Sequence, residues 1–441
     1  MQGFWTRILR GGLRAGLKVA AGILSASVIL AGCGSDQAPQ TQGPLILTDN
    51  PGVILAAQAY NALGQDPPIR IEVAEAADGG LVPHMRTMSP RPDGIISNQH
   101  LYPQSLSLFA SVNSLITSLN RSPADYPPRA LVMDPEAQSY VALPLSATLP
   151  VVVYRKNDPS MAGRRRITLE ELAALAREYN TLEDNRLIRA GFLPTNNPAF
   201  LYAAAQIFKV DFKASVLEHR LSWNPSAFTA FTEFLRGWFD PEEVALEQQR
   251  RFEQELAYDP WHIMVSDGRL RFTLTSFQEY YSIPSVLRQN LAYAWFTGGQ
   301  NHPGIPLYSQ PVSASILKTS TNQDRTLNFF TWLSSPEGIQ ALYDLWIDQQ
   351  MPGLSYLGGF PITPMGQTTW ASTYFPGLEN PVPGLDELVF SEILPSQWKK
   401  MKQEVILPQI IANIRAPENT STSQDTLIQE LERWQRLYRQ E

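Results

Sequence analysis

The run Pro44-Leu-Ile-Leu-Thr48 is apolar without alternation and stops at Asp49-Asn50-Pro51, which predicts a short buried strand. A helix follows, because Asn50 can accept the first free backbone N–H groups, Pro51 suits the first helical position, and Val53, Ile54, Ala57 and Tyr60 recur on one face before Gly64. Ile69-Arg-Ile-Glu-Val73 alternates with period two and predicts a half-buried strand. Strand, helix, strand is the unit of a parallel sheet, since the crossover helix returns the chain in the same direction. The pattern repeats at Asp93-Gly-Ile-Ile-Ser97, Tyr140-Val-Ala-Leu-Pro144 and Thr148-Leu-Pro-Val-Val-Val-Tyr154, so the fold class is α/β.

Farther along, Thr168 and Glu171 form a capping box ahead of Leu169, Leu172, Ala176 and Tyr179 on one helical face. Ser335-Pro336 starts another helix, with Ile339, Leu342, Tyr343 and Trp346 as its apolar stripe. A last helix is predicted over 425–439, where Leu427, Leu431, Trp434 and Tyr438 share a face.

The chain start is of another kind. Arg7, Arg10, Arg14 and Lys18 precede the apolar run 19–31, with no acid among them, and Leu30-Ala-Gly-Cys33 follows. Basic, apolar, small is the order of a secretory signal, and the apolar run is shorter than the ~20 residues a bilayer span needs. Residues 1–32 therefore read as a signal peptide, and the polar stretch beyond Cys33, up to residue 43, as a flexible tether. Cys33 is the only cysteine in the sequence, so no disulfide can form within the chain.

Composition narrows the classes. The 441 residues are 44% apolar and 17% charged, enough to bury a core. A net charge of −7 opposes a nucleic-acid partner, which needs a basic surface. The 35 prolines favour short connections over long helices.

Leu30-Ala-Gly-Cys33 resembles the lipobox of bacterial lipoproteins, which implies that Cys33 carries lipid and holds the protein at the outer face of a cell membrane. Ala142-Leu-Pro-Leu-Ser-Ala-Thr-Leu-Pro-Val-Val-Val-Tyr-Arg-Lys-Asn157, Ile167-Thr-Leu-Glu-Glu-Leu172 and Asn328-Phe-Phe-Thr-Trp-Leu-Ser-Ser-Pro-Glu-Gly338 resemble, in that order, segments of the extracytoplasmic solute-binding proteins of ABC importers, of the sugar-binding, maltose-binding-protein-like kind. The resemblance implies a two-lobed, hinged fold of the periplasmic-binding-protein type II. Lobe one would be 44–147 plus 298–350, and lobe two 148–297 plus 351–441. It implies capture of a small polar solute, with carbohydrate the foremost class, delivery to a membrane permease, a monomer, and neither cofactor nor catalysis.

Ligand contacts implied by the resemblance fall on loops after strands. They are Thr48, Asp49 and Asn50; Ser97, Asn98, Gln99 and His100; Ser146 and Thr148 at the first crossing; Asn196, Asn197 and Phe200; Ser276, Phe277 and Gln278; and Trp398, where sugar-binding members place a stacking aromatic. Amide and carboxylate groups match sugar hydroxyls, and a flat ring matches the C–H face of a sugar. Read as residues alone, Asp49 and Asn50 serve equally as helix caps, Asn196 and Asn197 as a plain Asx turn, His100 as a capping or surface histidine, and Ser146 and Thr148 as strand packing. Ser97 and Gln278 stand where some members have tryptophan, which leaves the ligand class open.

No metal, nucleophile or nucleotide motif emerges. The histidines at 84, 100, 219, 262 and 302 are scattered, and there is no Gly-rich phosphate loop and no Gly-x-Ser-x-Gly elbow. Asp240, Glu242 and Glu243 could in principle serve glycan hydrolysis, but beside Pro241 they read as a solvated helix start. A ligand-sensing or scaffold lipoprotein of the same fold is the alternative to transport.

Overall fold

The computed structural model describes residues 42–76, 80–214, 221–238, 244–299, 304–351, 356–363, 378, 380–415, 427 and 429–433. Two main sheets organise them. In the first, the strand Leu45–Thr48 lies between Arg70–Val73 and Gly94–Ser97 and is parallel to both. Val312–Ile316 enters antiparallel between Gly94–Ser97 and the long strand Ser139–Ala147. The edges beyond are Phe360–Pro361 and Val132–Asp134, both paired with Ser139–Ala147.

The carboxyl ends at Thr48, Ser97 and Ala147 consequently share one edge of this sheet, from which the chain leaves for the second. There the order is Thr273–Ser276, Pro150–Arg155, Leu291–Thr297 and Arg166–Thr168. Ser276 pairs with Pro150, so the end of one strand meets the start of its neighbour on the side toward the first sheet.

Period two explains the packing. Along Pro150–Arg155, Val151 and Val153 join a core that runs back to the first sheet, while Val152 and Tyr154 join the second lobe's own core. Likewise, Tyr293 and Trp295 face one way and Ala292, Ala294 and Phe296 the other. The unbroken apolar run read in the sequence thus marks a strand covered on both faces. In the first sheet, Ile46 and Ile96 pack under the helices Gly52–Asn61, Gln323–Leu333 and Pro336–Asp348, whereas Leu47 and Ile95 face a smaller core with Leu81, Met85 and Phe109.

The caps form as the sequence predicts. Thr168 Oγ1 accepts from Glu171 N at 3.1 Å and Glu171 Oε2 accepts from Thr168 N at 3.0 Å, opening the helix Leu169–Tyr179. Ser335 Oγ accepts from Gly338 N at 3.2 Å. Arg70–Val73 is an edge strand, with Val73 exposed, because Leu45–Thr48 pairs with only one of its sides. Ile54, expected on the buried face of its helix, is 37% exposed, since Leu55 and Ala56 turn inward instead. Leu427 and Leu431 are buried in the second lobe's core; Trp434 and Tyr438 lie outside the described residues.

One buried acid organises each lobe. Asp93 accepts from Leu45 N, Ser320 Oγ and Asn322 Nδ2, tying the first strand to the start of the helix Gln323–Leu333 with neutral donors. Asp158 is instead paired with Arg271, whose Nε donates to Asp158 Oδ2 at 2.8 Å and whose Nη1 donates to Leu175 O.

Candidate functional site

The edge of the first sheet gathers two of the predicted loops. Thr48 Oγ1 donates to Ile96 O at 2.6 Å and accepts from Asn50 N, which locks the start of the Asp49–Asn50 turn to the neighbouring strand. Ser97 Oγ accepts from Gln99 N, and Gln99 Nε2 donates to Asp49 Oδ2 at 3.2 Å. Burial raises the Asp49 pKa above its usual 3.8, and hydrogen bonds from Ser97 and Gln99 and the charge of Lys399 offset this only in part. Lys399 belongs to the second lobe's helix Trp398–Met401, so the charged group nearest in influence to Asp49 comes from the opposite lobe.

Asn50 has two tasks. Its Oδ1 accepts from Gly52 N, the capping role read from the sequence, and its Nδ2 donates to Leu357 O at 2.9 Å. Leu357 holds φ +51°, a left-handed conformation that costs an L-residue about 1–2 kcal/mol, and is followed by Gly358 at φ +76°, where glycine is at ease. A Cβ on Gly358 would come within 4.0 Å of Gln278 Nε2, which places Gln278 of the second lobe beside this turn. Ser146, fully buried, also directs Oγ toward Leu357 O at 3.5 Å, and Thr148 next to it is half-buried.

The helix Trp398–Met401 borders an aromatic pocket. Trp398, Tyr202, Phe212 and Tyr308 line it together with Leu394, Gln206, Asp211, Ser391 and Glu392. Trp398 is half-buried and meets Tyr202 edge to face at 5.8 Å and Phe212 tilted at 5.5 Å between ring centroids. Lys402 Nζ lies 5.0 Å from the Tyr202 ring centroid and 5.9 Å from that of Trp398, and Tyr202 Oη donates to Lys402 O at 3.1 Å. A cation over two rings is electrostatically favourable. Burial, and then the like charge of Lys399, lower the Lys402 pKa, while burial raises the Tyr202 phenol well above its usual value. Residues 402–406 form a π-helical turn, an irregularity often found at functional sites, in the segment that carries Trp398 and Lys402.

Other predicted residues are placed inside the lobes. His100 is completely buried, its Nε2 2.9 Å from Ser315 Oγ and its ring edge-on to Phe109 at 5.5 Å. Burial holds its pKa at about 3, so it is neutral at physiological pH. Phe200 is the centre of an aromatic core with Phe192, Trp238 and Phe296, because the Asn197 cap turns the first helical residues inward. Phe277 packs between Tyr293, Trp295 and Phe360 where the two sheets approach each other. Asn197 Oδ1 caps Phe200 N and its Nδ2 donates to Leu274 O at 2.7 Å, a bond that fastens the helix Pro198–Ile207 to the second sheet. Asn196 and Asn98 are exposed, and Ser276 accepts from Glu279 N in a capping box. Cys33, Asp240, Glu242 and Glu243 lie outside the described residues.

Sequence reading missed Tyr202, Phe212, Tyr308, Lys399 and Lys402. Tyr202 sits two residues from Phe200, about 200° around the helix, so one faces the core and the other the pocket. Nothing in a run of alanines and aromatics says which is which. Among the described residues, no group of three or more His, Cys, Asp or Glu side chains could hold a metal ion, and no helix is long and apolar enough to cross a membrane.

No protein-family model matches the chain, and no curated protein matches it. Solved structures do. An ABC substrate-binding protein of Listeria monocytogenes in complex with cycloalternan is 14% identical, with a TM-score of 0.55 over 89% of this chain and 97% of that one. A sugar transporter from Rhizobium etli in an open conformation is 15% identical, with a TM-score of 0.59 over 88% and 98%. The maltose-binding periplasmic protein MalE of Listeria monocytogenes, in complex with maltose, is 13% identical, with a TM-score of 0.59 over 89% and 97%. At such identities the likeness is one of fold: this chain has the two-lobed α/β architecture of periplasmic binding proteins.

Proposed function

We propose that this chain is the solute-binding component of an ABC importer, and that it captures a carbohydrate between its lobes and delivers it to a membrane permease. The observation that supports this reading is the presence of two unlike groups, the hydrogen-bonded Asp49–Gln99 pair at the first sheet's edge and the pocket of Trp398, Tyr202 and Phe212 rings, linked by the charge of Lys399, which acts on Asp49 from the helix that carries Trp398. A pyranose has the matching duality, with hydroxyls around its rim and C–H groups on its faces. The structural relatives that bind cycloalternan and maltose add support, because a two-lobed fold alone is compatible with many ligands.

In this reading Asp49, Asn50 and Gln99 accept and donate to hydroxyls, Trp398 stacks, and Gln278 approaches from the second lobe beside Gly358. Ser97, Thr48 and Ser146 hold these groups in place. His100, Phe200 and Phe277 shape the lobes and the hinge. Lobe one comprises 44–147 plus 298–350 and lobe two 148–297 plus 351–441, with Phe360–Pro361 hydrogen-bonded back to the first sheet. The mature chain works as a monomer and without covalent chemistry, anchored outside the cell membrane through lipid on Cys33.

Thermal unfolding in the presence of maltose, maltotriose, mannotriose, cycloalternan and, as controls, amino acids and polyamines tests the central claim. A ligand that binds only the native state raises the melting temperature, by an amount set by its concentration relative to Kd. A rise with one or more saccharides is expected; a rise with amino acids or polyamines alone overturns the carbohydrate assignment. Metabolic labelling with a fatty-acid analogue tests the anchor, which Cys33→Ser must abolish.

A further inference from the structure

We propose that Arg129 is a latch between the lobes, holding the Trp398 pocket shut by pairing simultaneously with Asp211 and Glu392. Arg129 Nε lies 3.2 Å from Glu392 Oε1, and Arg129 Nη1 lies 3.5 Å from Asp211 Oδ1. The three residues come from separate parts of the molecule. Arg129 sits on the turn Pro127–Ala130, closed by Ala130 N donating to Pro127 O at 3.1 Å; its neighbours Tyr126 and Ala130 are buried in the core beneath the first sheet, and Val132–Asp134 then joins that sheet. Asp211 lies between Val210 and Phe212, both in the second lobe's core. Glu392 follows Leu388–Phe390, the strand that pairs with Ile305–Leu307, and precedes Leu394 of the second lobe's core.

Both acids line the pocket that contains Trp398, so the guanidinium closes over the same chamber. Ile393 strengthens the assignment, because it packs against the first lobe's smaller core although its carbonyl accepts from Ala214 N of the second lobe. The turn itself does not call for arginine. Arg129 has φ +67°, where glycine or asparagine would fit at lower backbone cost, so the side chain rather than the turn accounts for its presence.

All three side chains are between 36% and 39% exposed, which makes the latch weak and sensitive to salt. Two such pairs shift the ratio of closed to open molecules by about two- to tenfold, and the apparent affinity for a ligand of the closed state by the same factor. The inference rests on the binding reading in that the latch governs access to the proposed site, but its test needs no ligand.

Spin labels on Ser114→Cys and Glu178→Cys, exposed helical positions in opposite lobes, report the interlobe distance in the full chain once Cys33→Ser has removed the native thiol. We expect the short-distance fraction to fall as salt rises from about 10 mM to about 1 M. Arg129→Gln should lower it at low salt and abolish the salt response, and the charge swap Arg129→Glu, Asp211→Lys, Glu392→Lys should restore it. A distance distribution indifferent both to salt in the otherwise unaltered protein and to Arg129→Gln overturns the latch. That result would leave saccharide binding standing, just as a failed saccharide screen would leave the distance result standing.

Discussion

At the edge of the first sheet, short polar side chains bond to backbone and to one another: Thr48 to Ile96 O, Asn50 to Leu357 O, Gln99 to Asp49. The Trp398 pocket is built from rings instead, with Tyr202, Phe212 and Trp398 in mutual contact and Lys402 poised over two of them. The first surface is directional, since a hydrogen bond fails with a small error in angle; the second is broad and tolerant. The lobes differ in the same sense inside. Asp93 is satisfied by neutral donors, whereas Asp158, bonded also by Ser160 N and Oγ, has its counter-ion in one buried cation, Arg271. The comparison teaches that the first group offers directional polar partners and the second a broad apolar face, while the second lobe's interior is the one tied by a buried ion pair.

Breaking that ion pair should have the largest effect. Arg271→Ala leaves Asp158, whose side chain is 5% exposed, charged and unpaired, and is expected to cost about 3–5 kcal/mol of stability in chemical denaturation. Asp93→Asn keeps most of its neutral partners and should cost about 1–3 kcal/mol; a loss equal to that of Arg271→Ala would erase the distinction between the two lobes.

Trp398→Ala comes next among effects on binding. Loss of about 2 kcal/mol or more, roughly thirtyfold in Kd, is expected by calorimetry with whichever saccharide stabilises the protein, and Trp398→Phe should recover part of it. Unchanged affinity in a folded variant would remove the aromatic face from the site.

Asp49→Asn sharpens the comparison from the polar side. It should weaken saccharide binding by about 1.5–3 kcal/mol if the carboxylate accepts from a hydroxyl. The same change should stabilise the free protein at neutral pH, because burial raises the Asp49 pKa and the charged form is disfavoured by folding. That contribution to stability is fully present below the usual 3.8 and is lost as pH rises through the higher folded value.

The smallest effect is the opposing pH response of Asp158. Burial alone would raise its pKa, but hydrogen bonds and charge from Arg271, with Ser160, bring it below 3.8. Its contribution is present above 3.8 and fades as pH falls through the lower folded value, so melting temperatures should decline on acidification in that window. Arg271→Ala should abolish this decline and Asp49→Asn should leave it intact.

Much of the scaffold was legible in the residues. The capping box at Thr168, the Ser335 cap and the Val151-Val-Val run announce themselves because they act over a few neighbouring positions. The sites were less so. The Asp49–Asn50 turn and Gln99 come together because loops after parallel strands converge on one sheet edge, whereas His100, one residue beyond Gln99, turned into the core against Phe109. Which way a residue turns just past a strand depends on what waits on each side, and for His100 this was Ser315, more than two hundred residues away.

Local pattern alone settled that the chain would alternate strands and helices and where several helices would start, since each follows from short-range sterics, hydrogen bonding and periodicity. Tertiary structure alone decided that Arg129 would reach Asp211 and Glu392, and that Tyr202 rather than Phe200 would line the pocket with Trp398. These pairings join positions that only the packing of two lobes brings within a few ångströms, and long-range proximity leaves no periodic trace in the order of residues.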